Sequence, residues 1–132
     1  MPFLILLSVY AAACGAPDAT ARVAQRAVAD FHDQYNARRF AAIYNSADSD
    51  FKRSGTYTSF NALMHALHAT LGKVRSTQNQ SIKLLKDDGQ TMSLQQKTTF
   101  DNGVGFETFL FGLKNGEAVL TGYKMSSRDI KY

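Results

Sequence analysis

From Ala21 onward, Val23, Ala27, Phe31 and Tyr35 recur at every fourth position, which lays one apolar stripe along a helix. Asp18 or Thr20 can cap that helix by accepting hydrogen bonds from its free first-turn N–H groups. His32 lies at the edge of the stripe, and Arg26, Asp30 and Asp33 lie away from it. Residues 37–44 predict a second short helix that buries Phe40, Ile43 and Tyr44, broken by the polar run from Asn45 to Ser49. Asp48 or Ser49 then caps one more turn through Phe51, closed by Ser54-Gly55. Ser59 opens the clearest helix: Phe60, Leu63, Met64, Leu67 and Leu71 follow the i, i+3, i+4, i+7 spacing, and Gly72 stops it. On that helix His65 points to solvent and His68 sits beside the stripe.

Beyond Gly72 the period changes from about four to two. Residues 81–86, 91–100, 105–114 and 117–126 predict four strands, rich in β-branched and aromatic residues. Asp87-Asp88-Gly89 and Asn115-Gly116 predict hairpin turns, where glycine relieves a positive φ, and Asp101-Asn102-Gly103 joins the middle pair. Consecutive helices followed by an antiparallel meander predict an α+β fold, with N-terminal helices packed on a curved four-stranded antiparallel sheet.

One segment stands outside this pattern. The run from Phe3 to Tyr10 is apolar, and it passes through Ala11-Ala12-Ala13 into Cys14, the single cysteine of the chain. The run is well short of the roughly 20 residues that span a bilayer as a helix, and it fits the apolar region of a signal peptide. An apolar stretch, three small residues and a cysteine resemble a bacterial lipoprotein signal. In that reading residues 1–13 are removed, Cys14 carries the lipid, residues 14–20 form a linker and residues 21–132 form the domain. Gly15 after the cysteine resembles the sorting class sent to the outer membrane, which places the domain facing the periplasm. Met1-Pro2 lacks the basic residues such a signal starts with. The alternatives are an ordinary cleaved signal, or an N-terminal strand or buried helix with Cys14 in the core. A lone cysteine excludes a disulfide framework within the chain and a cysteine-based metal or redox motif.

Length and charge narrow the function classes. The chain has 132 residues and a formal charge of +4. That is one domain, long enough to bury a core without metal or disulfide support. The basic residues are scattered among acids, and Arg38-Arg39 is the densest group. A nucleic-acid footprint is a stripe or a cluster, so nucleic acid is not an expected partner. The expected partners are the membrane, through the lipid anchor, and a second copy or an envelope protein. No cofactor or metal is expected: His65 and His68 are neighbours on a helix, but no third ligand accompanies them.

The order of long helix, short helices, Ser-Phe-x-x-Leu-Met-x-x-Leu (Ser59 to Leu67), Leu71-Gly72 and a meander carrying Asn115-Gly116 before Val119-x-x-Gly122-Tyr123 resembles a nuclear transport factor 2-like domain. This is the cone-shaped α+β fold also called cystatin-like, and the resemblance covers roughly residues 21–127. More narrowly the chain is similar to small exported bacterial proteins of that superfamily, through Phe51-Lys52-Arg53 and Leu71-Gly72. The resemblance implies a hollow between helices and sheet that can hold a small apolar ligand. Isomerases and cyclases of this fold set a carboxylate and a tyrosine or histidine in that hollow, the first to move a proton and the second to stabilise an oxyanion. The polar residues available to line it are Tyr35, Tyr44, Tyr57, His68, Glu107 and Tyr123.

Glu107 interrupts an apolar strand and shares a face with Phe109, Phe111 and Leu113. On the inner face it would be an enclosed carboxylate. The reading adopted is instead a strand near an edge, with Glu107 paired to a cross-strand Lys or Gln. Tyr35 and Tyr44 are read as core residues and His68 as a packing or surface residue. The expected function is therefore a membrane-anchored binding or interaction module, with the aromatic sheet face (Phe106, Phe109, Phe111, Val119, Tyr123) as contact surface. The alternative is a small-molecule isomerase or cyclase that uses a carboxylate in the cone pocket.

Overall fold

The structure is a computed structural model that describes residues 18–85 and 90–130. Cys14 with its apolar leader and the Asp87-Asp88-Gly89 turn lie outside the described residues. Four helices precede four strands: α1 (Asp18–Asn36), α2 (Phe40–Ser46), α3 (Ser49–Ser54), α4 (Tyr57–Leu71), β1 (Val74–Leu84), β2 (Thr91–Phe100), β3 (Gly103–Lys114) and β4 (Glu117–Ser126). The strands form one antiparallel meander in the order β1-β2-β3-β4. This is the expected α+β class, and its layout is compatible with the nuclear transport factor 2-like arrangement.

Several element boundaries differ from expectation. Helix α1 includes Asp18 to Thr20, where the sequence pattern predicts a linker. Its buried line runs through Ala24, Val28, Phe31, His32 and Tyr35, leaving Val23 and Ala27 half-buried. A strict four-residue spacing drifts about 40° per step on a helix of 3.6 residues per turn, so the core cannot follow it from end to end. Helix α2 begins at Phe40 rather than residue 37, because Arg38 takes φ 58° and the Arg39 N–H returns to the Gln34 carbonyl at 2.8 Å. Helix α4 begins at Tyr57, two residues early, because Thr56 caps it: its hydroxyl accepts from the Ser59 N–H at 3.2 Å. Strand β1 begins at Val74 instead of residue 81, and its register against β2 shifts at Val74/Ser76 and at Asn79/Ser81.

Other local signals act as read. Asp48 caps α3 by accepting from the Asp50 N–H at 3.2 Å, while its own N–H donates to the Leu120 carbonyl of β4 at 2.8 Å. Lys114 pairs with its carboxylate, and that hydrogen bond is the chief reason the Asp48 carboxyl is held below its ordinary value. Asn115 and Gly116 take φ 53° and 77°, the doubly positive pair that a two-residue hairpin requires. Gly72 ends α4 at φ 80°, with Asp101 packed where a β-carbon would project.

The helices cover one sheet face. Met64, Leu67 and Leu71 of α4 share one core cluster with Met92 and Leu94 of β2 and Phe109 of β3, each 2% exposed or less. Burying each such side chain stabilises the fold by about 1.5–3 kcal/mol. Phe31 stacks on Tyr123 at 4.9 Å and meets Phe109 edge-on at 5.1 Å, which fixes α1 across β3 and β4.

Candidate functional site

Period two decides which β3 residues face the helices. Gly105, Glu107, Phe109 and Phe111 are buried, and Phe106, Thr108 and Leu110 alternate to the other side. Strand β3 is a central strand, so Glu107 does not lie near an edge as expected, and the side-chain amide of its cross-strand Gln donates to Asn79 instead. Its direct partner on β2 is Gln96, and its side chain turns inward with 1% exposure. Three groups converge on the carboxylate. Thr98 of β2 donates its hydroxyl to Oε1 at 2.6 Å, and Tyr123 of β4 donates to Oε2 at 2.6 Å. His32 of α1 places Nε2 2.8 Å from Oε1. A carboxylate removed from water needs compensation of this kind on both oxygens. The group thus ties α1, β2, β3 and β4 together through one polar knot inside an aromatic shell of Phe31, Phe109 and Tyr123.

The sequence places His32 at the edge of the α1 stripe, but neither it nor Thr98 is among the six candidate lining residues. The signal for His32 was its place one step from Phe31 and four from Val28, at the margin of the α1 stripe. For Thr98 it was the alternation that buries Met92, Leu94, Gln96, Thr98 and Phe100.

The other named residues fall into separate groups. Tyr35 and His68 lie together with ring centroids 5.2 Å apart, beside Phe40 and Phe100. The Tyr35 hydroxyl donates to the Gly72 carbonyl at 2.9 Å, locking α1 to the end of α4. Burial, reinforced by the charges of Glu107 and Asp101, pushes the Tyr35 phenol far above its ordinary value. His68 is 9% exposed, and its Nε2 has no hydrogen-bond partner among the described residues. Tyr44 donates to the Gly55 carbonyl at 3.0 Å and packs on Phe51, Tyr57 and Phe60, while Tyr57 is 41% exposed. These two brace the corner between α3 and α4.

That corner forms one wall of a cleft of about 460 Å³ along the β4 edge. Phe51, Phe60 and Leu63 line it from the helices, and Leu110 and Tyr123 from the sheet. Gly55, Thr56, Ser59, Thr108, Thr121 and Lys124 add hydroxyls, backbone and one cation, and among the described residues no acidic side chain lines it. A register shift between Leu110 and Phe111 leaves Thr121 without a partner on β3. Side chains of both sheet faces reach the cleft there, Tyr123 from the inner face and Thr108, Leu110 and Lys124 from the outer. Of the six residues named from sequence, Tyr123 alone lines this cleft; Tyr35, Tyr44, Tyr57, His68 and Glu107 do not. The aromatic face also resolves differently: Phe109 and Phe111 are core residues, and Phe106 is the large ring left in solvent, 53% exposed.

No protein-family profile, curated protein or solved structure matches this chain.

Proposed function

We propose that this protein is an exported, lipid-anchored member of the nuclear transport factor 2-like superfamily that holds a small apolar or amphipathic molecule in the cleft along β4. The observation that carries the reading is the cleft itself. Its volume of about 460 Å³ lies within the roughly 300–1,000 Å³ of small-molecule sites. Its lining matches as well: aromatic and aliphatic walls, a few hydroxyls for orientation and a single charged group, Lys124. The anchor rests on the run from Phe3 to Ala13 ending at Cys14.

The buried carboxylate supports holding over transformation. An isomerase or cyclase of this fold needs a carboxylate facing its substrate. Here both oxygens of Glu107 are engaged by Thr98, Tyr123 and His32, and the side chain is 1% exposed. Tyr123 connects the two features, since it lines the cleft and donates to Glu107.

Titration with a dansyl-labelled undecanoic acid tests the reading. The full chain binds it saturably with a fluorescence increase, and Leu63→Asp, which sets a charge in the apolar wall, weakens binding at least about tenfold. Absence of saturable binding, or equal affinity in a folded Leu63→Asp protein, overturns it.

A further inference from the structure

The sheet face turned away from the helices carries a charge pattern that the cleft does not explain. Lys97 sits directly opposite Phe106, and Lys124 sits opposite Thr108, on the diagonal from Phe106. Lys83 and Leu110 both lie opposite Ser93, on the same face. All three lysines are exposed, and Phe106 between two of them is 53% exposed. The four strands hold two acids. Glu107 points inward, and Glu117 pairs in register with Lys114 at the hairpin end. The middle of the outer face is therefore cationic, with an aromatic ring at its centre.

We propose that this outer face docks on an anionic lipid bilayer, with Phe106 seated at the headgroup level and Lys83, Lys97 and Lys124 facing lipid phosphates. Charge complementarity selects the occupant. A second copy packed face to face would bring the two lysine sets together, and like charges across an interface disfavour pairing. An anionic surface takes all three at once, and the lysine stems can lie along apolar surface while their ammonium groups reach the phosphates. A ring flanked by cations suits the interfacial zone, where apolar burial and attraction to anionic lipid add. Lys124 borders both the cleft and this face, whereas Lys83, Lys97 and Phe106 do not line the cleft, so substitutions at those three probe the docking alone.

Vesicle sedimentation tests this with the full chain carrying Cys14→Ser, so that no acyl group contributes. Vesicles of phosphatidylcholine with about one-third phosphatidylglycerol are compared with pure phosphatidylcholine. The apolar N-terminal stretch is common to every protein compared, so the ratio of the two partition constants reports the face. Lys83→Gln/Lys97→Gln lowers that ratio by about 25-fold, at roughly fivefold for each lysine near the surface. Phe106→Ser lowers partitioning to the anionic vesicles, and high salt collapses the ratio. A ratio unchanged in the double variant overturns the proposal. So does a concentration-dependent dimer in ultracentrifugation that Phe106→Ser abolishes, which assigns the face to a second copy.

Discussion

Replacing Glu107 with Leu separates a structural knot from an incidental contact. The substitution removes the acceptor shared by three groups of unequal exposure. Thr98 is 0% and His32 7% exposed, so neither gains water when the carboxylate goes. Tyr123 is half-buried at the cleft wall and can turn its hydroxyl to solvent. An orphaned buried polar group costs about 1–3 kcal/mol. Two such groups set the expected loss at about 2–6 kcal/mol, a large share of the roughly 5–15 kcal/mol that holds a typical domain. Glu107→Gln keeps the shape and one carbonyl acceptor, so its loss is smaller. The decisive variant replaces the whole set: Glu107→Leu, His32→Leu, Thr98→Val and Tyr123→Phe together remove the donors with their acceptor and regain most of the stability. The chain contains no tryptophan, so urea unfolding is followed by far-UV circular dichroism. A Glu107→Leu protein within about 1 kcal/mol of the parent, or a fourfold variant no more stable than the single one, refutes the reasoning.

Two further outcomes are expected. The Tyr35 phenol is raised by burial, so the unfolded chain loses that proton first, near pH 10. Its contribution is complete below that pH and declines as pH rises toward the folded value; Tyr35→Phe flattens this decline, and a parallel loss in both proteins by alkaline denaturation counts against it. Cys14→Ser, expressed in a bacterial host with residues 1–13 in place, abolishes labelling by radioactive palmitate. Unchanged labelling would remove the anchor from the proposal.

The parts of the fold legible in sequence are those where one face is wet and the other dry. The stripe of α4, the caps at Asp48 and Gly72 and the alternation of β2 and β3 are all local. The first half of strand β1 escaped because its residues from Arg75 to Gln80 are exposed, so no buried face imprints a period on it. Pairing with β2 makes it a strand, and such pairing leaves no mark in a polar sequence. The same limit applies to the polar knot. The inward face of Glu107 was one of two readings, and only the placement of β3 between β2 and β4 selects it. His32 lies 75 residues from Glu107, and no local pattern links a helix-margin histidine to a carboxylate so far along the chain. The cleft depends on a register shift in β4, which the apolar order of that strand does not announce.

The polar character of β1 has a consequence for how the protein behaves when concentrated. An edge strand offers a row of backbone donors and acceptors to any neighbouring chain, and a long apolar edge would nucleate fibres or sheet-to-sheet stacking. Here that edge is dressed with Ser, Thr, Gln and Asn, carries Arg75 and Lys83, and is interrupted by two register breaks. Copies of the domain at high concentration gain from such a blunted border. The stretch with the faintest strand signal thus acts as a guard against self-templated aggregation.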